Sequence, residues 1–225
     1  FVLLRIVAYP RIQADLQEVL IRNLDGIGHK QAELVTNWMH ERMKNARVIA
    51  NNPLMIRSTK ITEVDKDYPD IVQYLEVAKG EYGYKGVLVC NDSGVITVGT
   101  AGEAVGADVS QMDYFKQAIQ GNTSASNMIP SEIPLTNELG EKELGLPTMF
   151  VSTPLMDRDG VVIGVVAIRV DVNALNDLML SLNLGKTGET YLVNKDGFML
   201  TESRFAAHLK EMGLVKKRCA LSLKL

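Results

Sequence analysis

Between Pro10 and Pro53 the chain carries no proline, and apolar residues recur along that stretch at helical spacing. Leu16, Leu20, Leu24, Ile27, Gln31, Leu34 and Trp38 follow one another at steps of three and four, and Val19, Val35, Met39, Met43 and Ala46 widen the stripe. The pattern predicts one long helix in a segment spanning residues 1–62, stopped by Asn51-Asn52-Pro53. Gly26 and Gly28 weaken its middle by roughly 1 kcal/mol each relative to Ala. At a fixed rise per residue, about forty helical residues span on the order of 60 Å, more than the diameter of a small domain. Such a helix either packs along two domains in series or pairs with another chain. A homodimer through this helix is therefore one expectation.

The rest of the chain is ordinary globular material. Of 225 residues 46% are hydrophobic and 23% charged, which excludes a disordered chain, a collagen or a low-complexity tract. The net charge of −3 gives no global attraction to nucleic acid, and none is expected as a partner. Cys90 and Cys219 are too few for a disulfide scaffold or a four-Cys zinc site. The purest apolar run, Val161 to Ile168, is ended by Arg169 and falls well short of the roughly 18 residues of a membrane span. The chain opens on Phe1-Val2-Leu3-Leu4 without an initiator Met, and Arg5 interrupts any signal-peptide pattern. The expectation is a fragment that starts just beyond a membrane anchor.

Past Pro69 a short amphipathic piece, Ile71 to Lys79, precedes a change to strand periodicity. Gly86–Cys90 and Val95–Val98 flank the turn Asn91-Asp92-Ser93-Gly94, and Thr148–Met156 and Val161–Val172 flank Asp157-Arg158-Asp159-Gly160. Each reads as a hairpin. A short helix is expected over Asp113–Gln120, a further strand over Thr123–Ile129, a loop over Pro130–Pro147 and a helix from Asn173 to Leu182. The run Val87–Thr97 is echoed by Tyr191–Thr201, with Leu88 set against Leu192. This repeat places one sheet unit at 63–182 and the start of a second, incomplete one at 183–225, with the Tyr191–Thr201 hairpin its only secure element. The fold class is α/β (α+β): a long N-terminal helix, then antiparallel-sheet modules.

Familiar chemistry is absent. Gly185-Lys186-Thr187 ends like a phosphate loop, but Leu180 occupies the position of the required first glycine. His29, His40 and His208 do not come with the spacing of a metal site, and no Gly-x-Ser-x-Gly elbow is present. No enzyme, metal or cofactor is expected. Arg169 stands apart. By period two it shares a face with Val165, Ala167 and Asp171, so its guanidinium pairs with a carboxylate such as Asp171 or Asp113, meets a bound anion, or stands partly exposed on a solvent-facing side of the sheet.

The segments Lys30–Arg42, Gly106–Ser110, Asp113–Ala118, Gly121–Thr123, Gly160–Val166 and Gly185–Val193 together resemble the double Cache (dCache) family. These are extracytoplasmic sensor domains of bacterial and archaeal transmembrane receptors, namely histidine kinases, chemoreceptors and cyclic-dinucleotide enzymes. The resemblance implies a long helix beside two PAS-like modules, a small ligand in the membrane-distal one, and a full-length protein anchored in the membrane. Members that bind amino acids carry Arg-x-Trp-Tyr before the short helix; here Met112, Tyr114 and Phe115 take the Arg, Trp and Tyr places. Arg169 stands where such members carry the Asp that holds the ligand ammonium. The implied ligand is a small anion, a carboxylate, held by Arg169 and walled by Tyr114 and Phe115. Tyr84, Lys116, Ser126, Ser152 and Asp113 complete the candidate set. The alternative is a ligand-free, degenerate Cache pair used for dimerisation.

Overall fold

The structure, a computed structural model, describes residues 8–100, 104–137, 139–181 and 184–224. The apolar start on which the expectation of a nearby membrane anchor rests, residues 1–7, lies outside the described residues. The chain forms two compact units, Phe1–Trp38 and Met39–Leu225. Helix α1 (Tyr9–Ala50) begins in the first and ends in the second. In the first unit Tyr9, Ile12, Leu16, Leu20 and Leu24 are all more than half exposed. Glu18–Arg22 and Lys30–Glu33 are surface pairs one helical turn apart, each adding a few tenths of a kcal/mol, ~0.3–0.5. No helix among the described residues is long and apolar enough to cross a membrane.

In the second unit α1 buries Ala46, Ile49 and Ala50 before Asn51-Asn52-Pro53 stops it. Two helices follow, α2 (Met55–Ser58) and α3 (Tyr68–Tyr82). Pro69 sits in the first turn of α3, where its missing N–H costs nothing, and Gly83 ends the helix in a left-handed cap. Next come β1 (Gly86–Asn91), β2 (Ile96–Gly99) and α4 (Asp113–Ile119). Short strands β3 (Ser124–Ala125), β4 (Ile129–Pro130), β5 (Leu135–Thr136) and β6 (Lys142–Glu143) lead to the long β7 (Pro147–Met156) and β8 (Val162–Val170). The chain continues through α5 (Asn173–Leu180) and α6 (Ala206–Glu211).

The main sheet is antiparallel, in the order β2-β1-β8-β7-β3, with β4 also paired to β7. Side chains alternate across it. On one face Leu88, Cys90, Phe150, Val165 and Ala167 form a core with Tyr114, Phe115 and Ala118 of α4. The intervening Val87, Val89, Val151, Val166 and Ile168 are fully buried as well, so both faces are covered. Gly164 shows how tightly the second face is closed: a Cβ there would lie 2.7 Å from Thr59 Cγ2 and 2.3 Å from the Cys90 carbonyl oxygen. Pro154 is tolerated in β7 because β3 pairs with it only at Val151 and Ser152, which leaves the missing N–H on an unpaired flank.

Several details differ from the sequence reading. The expected loop 130–147 contains a two-stranded hairpin, β5–β6. The expected strand over 123–129 is broken into β3 and β4. The echoed segment 191–201 makes the isolated bridges Val193–Met199 and Phe198–Lys224 and no strand ladder, while α6 and a small core of Met199, Val215 and Cys219 were not foreseen. The turn hydrogen bonds equate Asn91 with Asn194, one register off the Leu88–Leu192 alignment.

Candidate functional site

Arg169 lies in β8 between Ile168 and Val170 and is only 5% exposed. β-Pairing sets it opposite Phe150 on β7, and its guanidinium carbon lies 4.4 Å from the centre of the Phe150 ring. Its Nη1 donates to Thr148 Oγ1 at 3.2 Å. Tyr114 stacks on the same ring, centroid to centroid 4.3 Å. The sheet face therefore carries a layer in which Phe150 is shared by Tyr114 and a buried cation. Asp171, a candidate partner of Arg169, forms an ion pair instead with Lys85 at 2.9 Å.

The other sequence candidates fall into four groups. Tyr114, Phe115 and Ser152 join Arg169 on the α4 face. Tyr114 and Phe115 are each 4% exposed, and the fully buried Ser152 donates its hydroxyl to the Tyr114 carbonyl at 2.7 Å. Ser126 is used by the backbone: its hydroxyl accepts from the Phe150 N–H at 3.0 Å and donates to the Asn127 carbonyl. Asp113 and Lys116 are exposed on α4. Tyr84 goes elsewhere, accepting from the Asn45 side chain of α1 at 2.9 Å; burial pushes its phenol up from the ordinary value. Burial likewise lowers the Arg42 guanidinium. Met112 is partly buried and packs against the α4 core. Thr148 and Phe150 escaped the sequence reading, although they share strand parity with Ser152.

A separate cleft of about 790 Å³ opens beyond Thr148. Its floor includes Leu146, Val170, Val172 and Leu200; its walls come from the β5–β6 hairpin, from α5, and from the segment that follows Leu200. Glu143 on β6 ties two of these walls together through ion pairs to Arg218 and, at 3.5 Å, Lys217. The Asn137 amide, then Arg218 and Lys217, hold the Glu143 carboxyl below the ordinary carboxylate value. Among the described residues no group of His, Cys, Asp and Glu side chains could hold a metal ion.

The Cache domain family matches this sequence over residues 12–223. Among curated proteins nothing matches. The sensor domain of the V. cholerae histidine kinase DctB superposes with a TM-score of 0.59 at 13% identity, covering 95% of this chain and 80% of that one. The sensory domain of the Campylobacter jejuni chemoreceptor Tlp3 gives 0.61 at 15% identity, covering 87% and 76%. The ligand-binding domain of the Pseudomonas aeruginosa amino-acid chemoreceptor PctC, in complex with GABA, gives 0.54 at 20% identity, covering 88% and 79%. These structures share with this chain the fold of a long helix followed by an antiparallel sheet. With the family matched over nearly its whole length, the chain belongs to the Cache domain family.

Proposed function

We propose that this chain is the extracytoplasmic sensing portion of a membrane-anchored signalling receptor, and that it binds a small carboxylate on the α4 face of the sheet with Arg169 as anchor. The observation that carries the reading is a 5%-exposed guanidinium set over the Phe150 ring near the open end of the β7–β8 hairpin. Charge-assisted hydrogen bonds from a guanidinium to a carboxylate contribute about 1.5–3 kcal/mol. Tyr114 and Phe115 wall the site, with Ser152 fixing α4 against β7. Lys116, Asp113 and Ser126 lie at its rim, and Tyr84 braces α1 from outside it. Calorimetric titration of mono- and dicarboxylates against the wild type and Arg169→Gln tests this. A bound carboxylate that loses about tenfold or more in affinity in the variant is expected. Unchanged affinity, or a preference for cations, refutes it.

A second reading is a ligand-free module that dimerises through α1. It is favoured by Tyr114 and Phe115 being packed into the core, and by the exposed Leu16, Leu20 and Leu24. Sedimentation equilibrium at high concentration separates the two: this reading requires a dimer and no carboxylate response.

A further inference from the structure

The cleft beyond Thr148 has a charge pattern that the Arg169 site does not use. Three of its acidic groups already have partners. Asp171 pairs with Lys85, Glu143 pairs with Arg218 and Lys217, and both Glu202 oxygens accept backbone N–H groups, from Cys219 at 2.8 Å and Ala220 at 3.1 Å. Two cations and two anions are left in the lining. Lys210 and Lys216 lie on the C-terminal wall, Glu141 on the β5–β6 turn and Asp177 on α5. All four side chains are exposed, and none makes an ion pair among the described residues. The same lining carries the apolar Leu146, Val170, Val172 and Leu200.

We propose that this cleft is a second binding site, for a short peptide with free termini, its carboxylate set toward Lys210 and Lys216 and its ammonium toward Asp177 and Glu141. Unpaired charges of both signs on different walls favour a zwitterion, because a singly charged ligand leaves the opposite wall without a counter-charge. The apolar floor takes side chains. A volume of about 790 Å³ exceeds the need of one amino acid and lies in the range of ordinary ligand pockets. The Glu143 ion pairs hold the β5–β6 hairpin and the C-terminal wall at a fixed separation, so the two poles are positioned before the ligand arrives.

The test is titration of the whole chain with leucyl-leucine, N-acetyl-leucyl-leucine, leucyl-leucinamide and free leucine. Leucyl-leucine is expected to bind about tenfold or more tightly than either blocked dipeptide and than leucine. A Lys210→Gln/Lys216→Gln double variant and an Asp177→Asn variant are each expected to weaken it. The substituted side chains are exposed, and circular dichroism confirms that each variant is folded. The proposal is overturned by the absence of saturable leucyl-leucine binding, by equal binding of a blocked dipeptide or of leucine, or by indifference to the Lys and Asp variants. Binding lost in Arg169→Gln but kept in the lysine variant also overturns it, and assigns the ligand to the α4 face instead.

Discussion

Asn91, Asn137, Asp157 and Asn194 each close a hairpin turn with one side-chain oxygen. In every case Oδ1 accepts two backbone N–H groups, from the residues two and four positions on, at 2.9–3.1 Å, the length of an ordinary hydrogen bond. In every case the residue three positions on is a glycine with positive φ: Gly94 at 87°, Gly140 at 81°, Gly160 at 79° and Gly197 at 84°. The side chain supplies the acceptor that the tight turn denies the amides, and glycine supplies the left-handed backbone. Asp157→Ala is expected to cost about 1–2 kcal/mol, because two exposed N–H groups exchange the turn's own acceptor for water, and Asp157→Asn close to nothing. Gly160→Ala, with open space for its Cβ, is expected to cost only the left-handed strain, about 1–2 kcal/mol. Urea midpoints measure all three; equal losses in Asp157→Asn and Asp157→Ala would show that the oxygen is not the cause. The turns at Asn91, Asp157 and Asn194 were legible because β-rich runs flank them. The turn at Asn137 was not, because only the two-residue strands Leu135–Thr136 and Lys142–Glu143 surround it.

Among the elements, β8 is the most constrained. It is paired on both sides, to β1 and β7, and covered on both faces. Gly164 is where that constraint is sharpest. Gly164→Ala drives a methyl into a backbone oxygen rather than a flexible side chain, so the strand itself has to move. The expected loss is about 1–3 kcal/mol of overpacking, without any left-handed strain, and urea denaturation reads it against Gly160→Ala. The long strands and α1, α3 and α4 were readable because each repeats one period over several residues. β3 to β6 and α6 are too short to show a period; neighbours define them. Arg169 was conspicuous as one charge in an apolar run. Its layer with Phe150 and Thr148 depends on the β7–β8 register, which alternation alone does not set.

At the scale of the second unit, distant segments are joined by few ionic ties, and Glu143 makes the chief one. Its folded value lies below the ordinary 4.5, so the tie is intact above that value and is lost as pH falls through the lower, folded one. Amide exchange at residues 215–220 is expected to stay constant from neutral pH down to about 5, once corrected for intrinsic rates, and to accelerate below the ordinary carboxylate range. Glu143→Gln should remove that pH dependence, and its persistence in the variant would assign the effect to another carboxylate. The cleft this tie spans was invisible in the sequence, because its lining is drawn from Lys85 through Ala220 and no single stretch carries a signature.

The strand order also fixes the sequence of events by which the chain folds. β7 and β8 meet across a turn of a few residues, and β1 and β2 do the same, so each hairpin closes a short loop quickly. Joining them means bringing Gly86 to Arg169, about eighty residues apart, before any of the flanking helices has a complete surface to cover. Such non-local closure sets the rate. Pulse-labelled amide exchange during refolding is expected to protect the Met149–Val170 pairing before the Gly86–Asn91 strand. Until the two hairpins dock, the buried valines of β8 present an open strand edge to any neighbouring chain, so refolding yield should fall as protein concentration rises.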